Sequence, residues 1–186
     1  MTSLAALWLP ILLAAVLVFV VSSLVHMVLQ IHKHDYTKLP DENAVLELLR
    51  RTGVGAGQFV FPHCASMEEM KSPQMQERWR TGPCGTLIVR PAGGMGMGKA
   101  LLQWFVFCIV ISVFVAYLTG LAKAPGADGV FRIASTVGLL GYGFSSVTDS
   151  IWKAVSWTTT ARFLFDGLLY ALVTGATFAW LWPAAA

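Results

Sequence analysis

The sequence predicts an all-α integral membrane protein with four transmembrane helices and a small mixed α/β extramembrane segment between helices one and two. Two features of composition support this class. Of the 186 residues, 56% are hydrophobic and 12% are charged, whereas soluble domains carry about a quarter charged residues. Long uncharged apolar runs recur along the chain, and about 20 such residues suffice to cross a bilayer as a helix.

The first transmembrane helix is predicted from about Leu4 to Leu29, because no formally charged residue precedes Lys33. At about 1.5 Å per residue, this run crosses a bilayer with room for tilt. It exceeds the apolar core of a signal peptide, and no basic residue precedes it. We therefore expect residues 1–30 to form a retained first span.

Residues 31–99 form the second predicted unit, because most of the charged residues are concentrated there. An amphipathic helix is expected between Asp41 and Gly53, with acidic residues at its start and arginines at its end. The runs 58–61 and 86–90 have the composition of short strands that could pair into a ribbon.

A capping-box spacing from Ser66 to Glu69 predicts a short helix between these strands, which Pro73 ends, and a second helical turn is expected from Met75 to Trp79. The whole segment is too small to build a strong core of its own. We therefore expect it to lie against the membrane surface or against a partner.

Residues 100–186 supply the other three predicted spans. The apolar runs place them at about Leu101–Leu121, Phe131–Thr148 and Thr160–Trp182. The third run is short and glycine-rich, with Arg132 at its edge, which makes it the weakest of the four predicted spans. A re-entrant segment is the alternative there.

The distribution of Lys and Arg near the span ends predicts the orientation. The N-terminal tail carries no Lys or Arg, and the 122–130 turn carries only Lys123. The basic residues flank the 31–99 segment instead: Lys33, Lys38, Arg90 and Lys99. We expect a multi-pass protein of the bacterial inner (cytoplasmic) membrane, with 31–99 cytoplasmic and both termini outside. Cys64 and Cys84 would then be free thiols.

Small residues recur every fourth position on the second and fourth predicted spans. Such stripes allow helix backbones to approach closely, because lipid provides no hydrophobic drive for helix association. They predict helix packing, either inside this chain or against another protein. The residues are Cys108, Ser112, Ala116 and Gly120 on the second span, and Gly167, Ala171, Gly175 and Ala179 on the fourth.

Arg162 and Asp166 stand four residues apart at the start of the fourth span, and so share one helix face. Asp149 and Lys153 repeat this spacing just upstream. A charge inside a membrane is costly and by default suggests function. Here we predict one structural ionic cluster of these four residues, because few polar residues lie deeper in the spans.

His26, near the inner end of the first span, is the one candidate ligand residue. It could contact a haem, a quinone or a chlorophyll-type magnesium. Two-histidine haem ligation would need a histidine on another span, and the remaining histidines all lie in the 31–99 segment. We therefore predict no cofactor, and keep the His26 contact as an alternative.

Scattered His, Cys and Met residues invite a metal interpretation, but their spacing matches no known ligand pattern, so no metal site is predicted. No catalytic constellation is recognisable either, and we expect no enzyme. No basic patch interleaved with aromatic residues indicates nucleic acid. The scattered residues are His32, His34, His63, Cys64, Met67, Met70, Cys84, Met95 and Met97.

These observations favour a non-catalytic accessory or structural subunit of a larger membrane protein complex, in a bioenergetic or transport assembly. Its partners would be the lipid bilayer and other membrane subunits, reached through the transmembrane helices and the extramembrane segment. A small transporter or channel is the alternative. A second alternative is a redox protein that contacts a cofactor or pigment through His26.

Overall fold

The computed structural model describes residues 3–94, 96–123 and 126–183. These residues are 70% helical, and they include four helices long and apolar enough to cross a membrane and one small two-stranded sheet. The predicted class is confirmed at this level. The chain divides into two compact units. One runs up to Tyr36 and resumes at Gly96, and the other comprises residues 37–95.

The helices and strands follow one another in the order the sequence predicts. The first apolar run opens with a 3₁₀ turn at Leu4–Leu7 and ends with a π-helical turn at Leu24–Leu29. The remaining elements are α1 (Trp8–Ser23), α2 (Glu42–Arg51), β1 (Gly57–Phe61), α3 (Met67–Met70), α4 (Pro73–Thr81), β2 (Gly85–Val89), α5 (Met97–Leu121), α6 (Gly126–Tyr142), α7 (Ser145–Lys153) and α8 (Trp157–Leu181).

The third apolar run differs most from its prediction. It extends over Gly126–Lys153 and is interrupted after Tyr142, so that α6 and α7 are separate helices. Its mean hydropathy of 1.2 is the lowest of the four, against 2.9, 2.4 and 1.5 for the others. Ala124 and Pro125, in the turn predicted before it, lie outside the described residues.

The helices of the first unit pack as an up-down bundle in which α8 lies mainly against α6, and α1 lies against both α5 and α8. One end of its core is apolar and includes Leu7, Val115 and Phe178. The next layer contains Val18 and Tyr170. Beyond that layer lie the buried side chains of Thr160 and Asp166.

Glycines allow the backbone of α8 to approach the backbone of α6 and of the turn that follows it closely. A Cβ built on Gly167 would lie 2.5 Å from Cα of Gly143, and one on Gly138 would lie 3.1 Å from Cα of Ala171. Gly175 lies against Ser135 of α6 in the same way. Only residues without a Cβ permit these approaches.

The two predicted stripes are placed differently from one another. Gly167, Ala171 and Gly175 face α6, and Ala179 packs partly buried beside the apolar core. On α5, Cys108, Ser112 and Ala116 are buried in the bundle, whereas a Cβ on Gly120 would meet nothing within 4 Å. Seven of these eight positions thus pack within the chain.

In the second unit, β1 and β2 form the antiparallel ribbon, with Phe59 opposite Leu87. Ser66 caps α3 by accepting from the Glu69 amide, as its capping-box spacing predicts, and Asp41 caps α2 by accepting from the Ala44 amide. The helix α4 begins at Pro73, is capped by Ser72, and includes the second helical turn expected at Met75–Trp79. Across the described part of this unit, Met75 is the one buried hydrophobic side chain.

Candidate functional site

A cluster of charged side chains forms where the first apolar run ends and α8 begins. The π-helical turn places His26 on this side, and its Nδ1 lies 3.0 Å from the carbonyl oxygen of Ser22. Gln30 then adopts a left-handed conformation with φ 50°, which terminates the helix. The chain reverses, and the ring of His32 stacks on that of His26 with centroids 4.6 Å apart.

His32 connects two buried carboxylates. Its Nδ1 lies 2.5 Å from Oδ2 of Asp35, and its Nε2 lies 2.8 Å from Oδ2 of Asp166. Its ring also packs on Phe163, with centroids 4.6 Å apart. The side chains of Asp35 and Asp166 are only 1% and 3% exposed. His32 therefore ties the segment after the first span to the middle of α8.

Asp35 also pairs with α8 through its second oxygen. Arg162 Nη1 donates to Oδ1 of Asp35, and the Thr159 hydroxyl donates to the same oxygen at 3.3 Å. Burial acts to raise the pKa of the Asp35 carboxyl. The hydrogen bonds from His32 and Arg162, together with the positive charge of Arg162, outweigh that effect and hold its pKa below the ordinary value.

The contributing residues of α8 share one face because their spacing follows the helix period. Thr159, Arg162 or Phe163, and Asp166 are separated by three or four residues, so their side chains project in one direction. The Ser156 side chain caps this helix by accepting from the Thr159 amide. The cap fixes the first turn, and with it the position of Thr159.

His26, His32 and Asp166 come close enough to share one ion. His26 Nε2 lies 3.8 Å from Oδ2 of Asp166, and a ligand atom of each residue lies within 4.8 Å of those of the other two. Asp166 Oδ1 is buried and has no hydrogen-bond partner among the described residues. The carboxylate thus has an unused acceptor inside the bundle.

The four residues of the predicted ionic cluster are arranged differently. Asp149 and Lys153 pair with one another at 2.7 Å, and both side chains are about half exposed. Arg162 pairs with Asp35, and Asp166 pairs with His32, so the expected Arg162–Asp166 pair is not formed. The i,i+4 spacing does place both side chains on one face, where each finds a partner from the 31–36 stretch.

The other candidate ligands do not join this site. Cys64 and Cys84 are free thiols in the second unit, and Cys108 is a buried free thiol of α5. Among the scattered His and Cys residues considered for metal binding, His32 alone belongs to the cluster in the described structure. Met95 lies outside the described residues.

Sequence reasoning overlooked His32 and Asp35 as partners of α8. A usable signal was present in the predicted topology. With four alternating spans, the end of the first and the start of the fourth lie at the same membrane face. His26, His32 and Asp35 therefore belong at the same depth as Arg162 and Asp166, and their charges are complementary.

A scan of protein-family models, a search of curated proteins and a search of solved structures each find no match to this chain.

Proposed function

We propose that this chain is a non-catalytic accessory subunit of a larger complex in the bacterial inner membrane, which docks through its membrane helices and its extramembrane unit. The observation that carries the proposal is an uncovered apolar face on the 37–95 unit. Phe59 and Phe61 alternate on β1, so both rings lie on the same side of the ribbon. Their rings pack over Gly57 and Gly85, yet each residue remains about 40% exposed.

This unit buries too little to satisfy its own apolar surface. No residue of α2 is buried, and Leu46 and Leu48 are exposed on it. Contiguous exposed apolar groups rimmed by polar residues are typical of interaction surfaces. Such a surface is stabilised when another molecule covers it.

The charge of the unit favours a protein partner over an anionic lipid surface. Residues 37–95 contain seven Lys or Arg and six Asp or Glu, a net charge of +1. Segments that bind acidic lipid headgroups instead concentrate Lys and Arg, each contributing about 1 kcal/mol. The near-neutral unit lacks that concentration, so we assign its apolar face to a subunit of the same complex.

The structural role of the charged site is consistent with this function. Asp35 is held by His32 and Arg162 immediately before the extramembrane unit starts at Thr37. These contacts bind the chain before Thr37 to α8, which is a structural role rather than a catalytic one.

Replacing Phe59 with serine is expected to release the partner, because it removes an aromatic ring from the centre of the proposed interface. The measurement is the stoichiometry of subunits that co-purify with the tagged full-length chain in mild detergent. Val60→Ser is the matched control, since Val60 is exposed on the opposite side of the same strand.

The expected result is one defined set of partner subunits with the unmodified chain and with Val60→Ser, and its loss with Phe59→Ser. A monodisperse chain without partners would contradict the proposal. Equal retention by both variants would assign the docking surface elsewhere and count against the ribbon face.

The proposed orientation predicts that Cys84 faces the cytoplasm. A chain with Cys64→Ser leaves exposed Cys84 and buried Cys108 as its thiols. The labelling is done on spheroplasts, in which the outer membrane is removed and the inner membrane is intact. A membrane-permeant maleimide should label this chain, and an impermeant maleimide should not. Adding Ser3→Cys at the exposed N-terminal end should restore labelling by the impermeant reagent. Impermeant labelling of Cys84 itself would reverse the orientation.

A further inference from the structure

We propose that His26, His32 and Asp166 form a binding site for one divalent transition-metal ion of the Zn²⁺ class. The first argument concerns the protons of the two imidazoles. A carbonyl oxygen only accepts hydrogen bonds, so His26 Nδ1, 3.0 Å from the Ser22 carbonyl, carries a proton. His32 Nδ1 donates in the same way to the Asp35 carboxylate. Each neutral ring then presents the lone pair of its Nε2.

Both Nε2 atoms face the same carboxylate oxygen. Oδ2 of Asp166 lies 2.8 Å from His32 Nε2 and 3.8 Å from His26 Nε2. Three acceptors that converge repel one another unless a cation lies between them. A proton on His32 would satisfy one of these contacts and leave His26 Nε2 unmatched. A metal ion would accept the lone pairs of all three atoms at once.

The second observation is independent of the histidines. Asp166 is 2% exposed, and its Oδ1 has no hydrogen-bond partner in the described part of the chain. A buried acceptor without a partner is costly. A cation held by this carboxylate would stabilise both of its oxygens.

The spacing suits metal coordination after a small rotation. Ligand atoms bonded to zinc at about 2.0–2.2 Å in a tetrahedral site lie about 3.3–3.6 Å apart. The distances of 2.8 and 3.8 Å fall on either side of this spacing, and all three ligand atoms lie within 4.8 Å of one another. The imidazole planes of His26 and His32 are inclined by only 14°, so one ring must turn to aim its lone pair. The His26 side chain is 44% exposed and has room to do so.

The groups behind the ligands are those that metal sites use. A ligating histidine commonly donates its other N–H to a carboxylate or a backbone carbonyl, which fixes the ring and raises its basicity. Asp35 serves His32 in this way, and the Ser22 carbonyl serves His26. Arg162 and Thr159 in turn hold Asp35. The supporting contacts thus come from both helices.

The ligand set determines the class of ion. Two imidazoles and one carboxylate suit Zn²⁺, Fe²⁺ or Co²⁺, whereas Mg²⁺ and Ca²⁺ prefer sites made only of oxygen. Three protein ligands leave a coordination position for water or a further ligand. His26 is the most exposed of the three side chains, so that position opens on its side.

The test is metal binding by the purified full-length chain in detergent, with Zn²⁺ or Co²⁺ as the probe. One ion per chain is expected, and Co²⁺ should give visible absorption bands of a low-symmetry nitrogen and oxygen site. His26→Ala and Asp166→Asn should each weaken Zn²⁺ binding by more than about 100-fold, since even supporting residues contribute about 10–100-fold. Excess Mg²⁺ should not displace Zn²⁺.

His34→Ala is the matched control, because His34 is exposed in the same turn and lies outside the cluster. It should bind Zn²⁺ like the unmodified chain. His26→Ala removes a half-exposed ring and should keep its thermal unfolding temperature without metal, which separates lost ligation from lost folding. Zn²⁺ binding that survives His26→Ala and Asp166→Asn would overturn the proposal. So would the absence of binding by the unmodified chain, which would leave His32 as a protonated bridge between two carboxylates.

Discussion

Gly167→Ala is expected to lower the free energy of unfolding by about 3 kcal/mol, at the upper end for overpacking in a protein core. The added Cβ would lie 2.5 Å from Cα and 2.8 Å from the amide nitrogen of Gly143. Both atoms belong to the backbone, so no side-chain rotation can relieve the clash. The two helical segments must separate, and their packing contacts weaken.

The matched control is Gly120→Ala, which makes the same change in the other predicted stripe. A Cβ there meets nothing within 4 Å. This variant should be as stable as the unmodified chain or gain up to about 1 kcal/mol, because alanine favours helix more than glycine does. Reversible unfolding in mixed micelles of mild detergent and sodium dodecyl sulfate measures both. Equal stability of the two variants would be incompatible with backbone contact at Gly167.

Asp35→Ala should destabilise the chain by about 3 kcal/mol, because removing one partner of a buried ion pair leaves the other charges uncompensated. His32 would lose the acceptor at 2.5 Å, and Arg162 would lose its charged partner. Arg162 is 31% exposed and can reach water. This limits the loss to the lower part of the 3–5 kcal/mol range known for buried pairs.

Asp149→Ala provides the comparison, since Asp149 also pairs with a basic residue but at an exposed site. Exposed ion pairs contribute about 0–1 kcal/mol. The same micelle unfolding measurement should show a change of about 0.5 kcal/mol or less for this variant. If Asp35→Ala were as mild as Asp149→Ala, Asp35 would not hold the chain to α8 as described.

The fold was largely predictable because bilayer crossing leaves a strong local signal. Four apolar runs predict four long helices, and the structure has four helices of that kind. Local capping chemistry also predicted the start of α3, since the Ser66 side chain accepts from the Glu69 amide three residues later. These features depend on residues close together in the chain, which sequence patterns report well.

The site was less predictable because its bonds join distant residues. His32 and Asp166 are separated by 134 positions, and Asp35 and Arg162 by 127. The spacing of Arg162 and Asp166 suggested that they satisfy one another, a local solution that competes with the distant one. Choosing between them requires knowing that α1 lies against α8. Apolar spans exposed to lipid have little amphipathic pattern to indicate such neighbours.

The link between the first and last helices has a consequence for biogenesis. Asp166 lies about 14 Å along α8 from Trp157, at about 1.5 Å per residue. A lone acidic residue in a membrane helix is costly on insertion, by up to about 2.5–3.5 kcal/mol at the helix centre. The chain is made from its N-terminus, so His32 and Asp35 are already synthesised when α8 emerges. In the membrane orientation proposed above, closure onto the first helix would favour insertion of the last, and bundle assembly and membrane integration would be one coupled step.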